Sequence, residues 1–159
     1  MTTPPPAAEA KQSLIDHVST KGIEIFVKYG PQLGWAELQR LLADRAYVRY
    51  PCEIVFDAGP LQAGEFAHPE QKGAVPEAGF TLYVHPAFRS DLAQVPPLVL
   101  YQLVAVNYGA FASSAEAESF GAAALGLTRD EYYALVCALA DRLGADEGAD
   151  GSTAGCGCS

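Results

Sequence analysis

Cys156 and Cys158 lie in the last stretch of the 159-residue chain, GSTAGCGCS. Two thiols one residue apart, flanked only by small residues, have no apolar cover to shield them from ionisation or reagent. Such a pair suits a soft metal, Zn or Cu(I), or a partner's thiol. It could also act as a redox pair, although a disulfide across one residue is strained. A further reading is that this Gly/Ser/Thr/Cys terminus is itself a substrate, modified at its Cys and Ser residues. Cys52 and Cys137 sit among apolar residues instead, where a thiol packs as a small inert hydrophobe. A second group is polar. Tyr101 and Gln102 interrupt the apolar run LVLYQLVAVNY, and Glu116 and Glu118 follow in SAEAESF. Brought together, these four form a polar cluster within hydrogen-bonding reach. Apart, Tyr101, Gln102 and Asn107 bond within the fold, and the two glutamates face a helix dipole as first-turn acids.

The elements that must position these residues follow from periodicity. Leu14, Val18, Ile25, Phe26 and Tyr29 fall near one helical face and predict a helix over 13–29, which Gly22 weakens by about 1 kcal/mol relative to alanine. Trp35, Leu38, Leu41 and Leu42 give an amphipathic helix. The period then changes. YVRYPCEIVFDAG predicts a strand at 47–56 with an edge or bulge at Pro51, and GFTLYVHP a strand at 79–85. The long connection between them holds room for a short strand at 65–67. Pro96-Pro97 opens a helix that is apolar nearly all round and therefore central, ending at Gly109. Leu98, Leu100, Leu103, Val104 and Val106 should be buried on it. Ser113 with Glu116 reads as a capping box for a helix over 114–125, and Thr128 with Glu131 as another for 129–143. The sum is a single α+β domain of about five helices with a small antiparallel sheet of two or three strands. Residues 1–12 read as a flexible arm, 13–144 as the globular domain and 145–159 as a disordered Cys-containing tail.

Charge and composition exclude several function classes. The net charge is −9, and ten basic residues are scattered singly through the sequence, so no basic cluster marks a phosphate-backbone footprint. Nucleic acid and anionic membrane surfaces are therefore not expected partners. No apolar run approaches a membrane span of about 20 residues, and the start lacks the pattern of a secretory signal. A cytoplasmic protein with a protein partner is the expectation. His17, His68 and His85 lie on three different elements, and no short ligand spacing joins them.

Over residues 47–126, the order of sheet edge, buried helix and acid-bearing second helix resembles the small zincin-type metallopeptidase domain. In that family the first helix carries two His one turn apart with a Glu base between them, and the later helix supplies a third ligand. YQLVA places Tyr101 and Ala105 at the ligand positions and Gln102 at the base, with Glu116 or Glu118 as the later ligand. The resemblance thus implies a fold without its His-Glu-x-x-His ligands. Two functions compete. One is a non-enzymatic binding or accessory protein. The other is an enzyme-derived fold, either a catalytically degenerate zincin-like domain or a thiol-redox protein.

Overall fold

A computed structural model describes the backbone of residues 7–109 and 112–146 and the side chains of residues 12–109 and 112–143. The element order is α1 (Ala7–Tyr29), α2 (Trp35–Leu42), β1 (Cys52–Phe56), β2 (Ala67–Gln71), β3 (Phe80–Val84), α3 (Val95–Tyr108), α4 (Ser114–Leu125) and α5 (Arg129–Asp146). The fold class is α+β, as expected. Helix α1 begins at Ala7, inside the segment expected to be an arm.

The three strands run in the order β1-β3-β2. β2 pairs antiparallel with β3, from Ala67 opposite Val84 to Gln71 opposite Phe80. β1 pairs parallel with β3, from Cys52 opposite Phe80 to Phe56 opposite Val84, so the sheet is mixed. Both edge strands bear the mark of an edge. Pro69 lies within β2, where the missing N–H leaves no gap in a ladder. Pro51 lies just before β1, where its carbonyl accepts the Phe80 N–H at 2.8 Å. Gly79 makes that approach feasible. Its φ is +101°, and a Cβ there would stand 2.9 Å from the Pro51 oxygen.

The alternating residues 47–50 do not extend β1. Asp44 holds them in a turn: its carbonyl accepts from the N–H groups of Tyr47 and Val48, at 3.1 and 2.9 Å. Its side chain accepts from the Ala46 N–H at 3.0 Å. Val48 is fully buried beneath this turn.

Helix α3 is the centre. Leu98, Leu100, Leu103, Val104 and Val106 are all buried, as the absence of a polar face requires. It packs on β2 and β3 and against α4 and α5. The most extensive helix contact joins α1 to α4, and glycine makes it possible. A Cβ on Gly22 would lie 2.7 Å from both the Ala123 Cβ and the Phe120 carbonyl. The residue that weakens α1 as an isolated helix is thus the one that lets it reach α4. On the other flank Gly121 lies against Tyr132 of α5, whose hydroxyl donates to the Pro97 carbonyl at 2.6 Å.

Candidate functional site

The residues of the expected polar cluster are distributed over different surroundings. Glu116 and Glu118 are both buried. Two positions on a helix are about 200° apart, so they leave opposite flanks of α4. Glu118 accepts from the Arg129 Nε at 3.1 Å. Glu116 accepts from the Ser113 hydroxyl at 2.5 Å. That bond runs from side chain to side chain, so Ser113 does not cap the helix as the box pattern suggested. Thr128 and Glu131 do form the full reciprocal box, at 2.8 and 3.1 Å.

Tyr101 and Gln102 line a cleft of about 380 Å³ with residues 62–67 and Ala140, and neither glutamate lines it. The Tyr101 ring meets Phe66 edge-on, with centroids 5.9 Å apart. Among the described residues, no group of three His, Cys, Asp or Glu is placed to hold a metal ion. His17 packs edge-on against Tyr108, His68 lies 3.6 Å from Glu65, and the His85 Nδ1 accepts from the Ala87 N–H.

Cys156 and Cys158 lie outside the described residues. Cys52 is a free, half-buried thiol, and burial pushes its pKa up to about 11. Its Sγ lies 3.4 Å from the Tyr50 carbonyl, which can accept the S–H. Cys137 is half-buried on α5.

A second cleft, of about 240 Å³, has the more concentrated chemistry. It opens between α1, the end of α3 and the 45–49 segment, with Phe120 of α4 in its lining. Asn107 organises it from the last turn of α3. Its side-chain amide donates to the Tyr47 carbonyl at 2.7 Å and accepts from the Arg49 N–H at 2.9 Å. Only a group that both donates and accepts can pair with backbone in this way.

Asp44 fixes the other end of the segment. Its second carboxylate oxygen receives Lys28 and Tyr29, each at 2.7 Å. Those bonds hold its pKa down at about 2. Tyr29 rises to about 12, chiefly by burial and then by its bond to Asp44. With both ends anchored, Arg45 and Arg49 project at the cleft.

Arg45 donates to the Leu42 carbonyl at 3.1 Å, and the Arg49 guanidinium stands 5.0 Å from the centroid of the Tyr108 ring. Lys21 joins them from α1, 5.7 Å from the Tyr47 ring and 3.7 Å from Glu24. Basic residues that are scattered singly along the chain therefore converge in space. The sequence signal for this was faint: DRAYVRY interleaves two arginines with two tyrosines, and its alternation also suits a strand.

No protein-family model matches the chain, and neither a curated protein nor a solved structure matches it.

Proposed function

We propose that this chain is a small cytoplasmic, non-enzymatic binding or accessory protein with a protein partner, and that its Cys156/Cys158 terminus captures a soft metal or a partner thiol. The observation that supports binding over catalysis is the engagement of the candidate carboxylates. Glu118 is paired with Arg129, and Glu116 receives the Ser113 hydroxyl. Both carboxylates are buried and already engaged within the fold, so neither is presented to a substrate as a general base must be. The cleft that contains Tyr101 and Gln102 has neither glutamate in its wall. The zincin resemblance would then be one of architecture, and the thiol pair would supply the metal chemistry.

The test is the metal content of the reduced full chain, measured after exposure to Zn and to Cu(I), beside a Cys156→Ser/Cys158→Ser variant. Metal in the parent and none in the variant supports the reading. Equal metal in both places the site in the folded core and sinks it. A peptidase activity that disappears in Gln102→Ala would sink it as well.

A further inference from the structure

We infer that the cleft walled by Arg45, Arg49 and Tyr108 is a binding site for a small planar organic oxyanion, a carboxylate or phosphate carried on an aromatic-sized body. This inference is independent of the reading above, since an anion seat serves a binding protein and an enzyme alike.

The first argument is charge. On a protein of net charge −9, an anion is held only where cations are concentrated and not already neutralised. Lys21, Lys28, Arg40, Lys72, Arg129 and Arg142 each lie within ion-pair distance of a carboxylate. Among the described residues, Arg45, Arg49 and Arg89 have no such partner. Arg89 donates to the Phe56 carbonyl and covers the Phe56 ring, away from the cleft. The other two line one concavity together. Arg45 uses only Nη1 on backbone carbonyls, at Leu42 and Val48. A guanidinium offers five donors in a planar fork, so both arginines keep donors for an oxyanion.

The second argument is pre-organisation. Asn107 is 8% exposed, and both ends of its amide bond the backbone that carries Arg49. Asp44 pins the start of the same segment. The arginines thus stand on a fixed backbone, and a ligand need not pay to order a loop.

The third argument is shape. The walls include the rings of Tyr47, Tyr108 and Phe120 beside the cations. A cavity of about 150 Å³ takes a benzene ring, so 240 Å³ leaves space for a ring and one charged headgroup. Flat walls favour a planar body, and the guanidinium edge favours its oxyanion.

The experiment follows amide and side-chain NMR shifts of the full chain during titration with benzoate, phenyl phosphate and inorganic phosphate. Ligand is taken to about 10 mM, where a site with a dissociation constant of about 1 mM is mostly filled. At least one aryl oxyanion should shift Tyr47, Arg49 and Tyr108 together. Benzoate and phenyl phosphate distinguish a carboxylate from a phosphate headgroup.

Arg49→Ala keeps the N–H that Asn107 holds, so the fold should be retained, which the unperturbed amide spectrum checks. It should weaken binding about ten- to a hundredfold, as loss of a charged hydrogen bond does. Tyr108→Leu should weaken the aryl ligands more than inorganic phosphate. Arg89→Ala removes an equally unpaired arginine outside the cleft and should leave binding unchanged. The inference is overturned if no probe shifts the cleft residues, or if Arg89→Ala weakens binding as much as Arg49→Ala.

Discussion

Replacing Gly121 with alanine separates local helix preference from packing, because the two predict opposite signs. In the middle of α4, alanine is favoured over glycine by about 1 kcal/mol. The structure argues the reverse. A Cβ at Gly121 would lie 2.2, 2.4 and 2.5 Å from the Cζ, Cε2 and hydroxyl oxygen of Tyr132. Ordinary carbon contacts are about 3.5–4.0 Å, so the ring must retreat by more than 1 Å. Tyr132 is fully buried, and its hydroxyl is fixed on the Pro97 carbonyl. Overpacking a core costs about 1–3 kcal/mol. Parting the hydroxyl from Pro97 leaves buried polar groups unpaired, at about 1–3 kcal/mol more.

Set against the helix gain, the net loss is about 1–5 kcal/mol. For a domain of this size that lowers the thermal midpoint by about 3–15 °C. Urea unfolding followed by far-UV circular dichroism, with thermal melts, measures both. Adding Tyr132→Leu removes the ring that blocks the methyl group, so the pair should be coupled by at least about 1 kcal/mol. A Gly121→Ala variant as stable as the parent, or more stable, would refute the close approach of α5 to α4.

Further outcomes test the core, the thiol and the turn. Leu103→Ala should cost about 2–5 kcal/mol in the same urea assay, since Leu103 is fully buried at the centre of α3. A loss below about 1 kcal/mol would mean that α3 is not central. Cys52, with a pKa raised from 9.0 to about 11, should alkylate near neutral pH about a hundredfold more slowly than an unperturbed thiol, its rate rising with pH through that range. Peptide mass mapping after brief labelling reads this, and fast labelling would place Cys52 on the surface. Asp44 has its pKa lowered from 3.8 to about 2 by its bonds to Lys28 and Tyr29. Its contribution to stability is present above the unfolded value and is lost as the pH falls through about 2. The stability gap between parent and Asp44→Asn should therefore narrow from about pH 4 downward, and a gap constant over that range would refute the assignment.

The helices were legible because each of their signals is local. Leu98, Leu100, Leu103, Val104 and Val106 leave no polar face on α3, and all five are buried. Thr128 and Glu131 form the box that their spacing suggests. The sheet was less legible. Alternation at 47–50 suits a strand, but Asp44 and Asn107 satisfy that backbone with a turn and a side chain. The parallel pairing of β1 with β3 has no local sign at all, because it depends on how the connection through β2 returns. Ser113 shows how a local pattern misleads when geometry redirects one bond, since its hydroxyl meets the Glu116 carboxylate and not the helix N–H.

The contrast between the two polar groupings has one physical root. Glu116 and Glu118 stand two residues apart, which looks like a shared site in sequence, yet a helix turns such a pair to opposite flanks. Arg49 and Asn107 are fifty-eight positions apart and meet at 2.9 Å. The second pairing depends on where α3 ends relative to the turn after α2, and Asn107 falls within the last turn of α3, beside Tyr108. Moving it one position along the helix would rotate the amide by about 100° and free the Tyr47–Arg49 segment. The arginines would then sit on an unanchored loop, and the same charges would no longer be gathered around one concavity. The site's chemistry therefore resides less in the basic residues themselves than in a single buried amide whose role no spacing rule reveals.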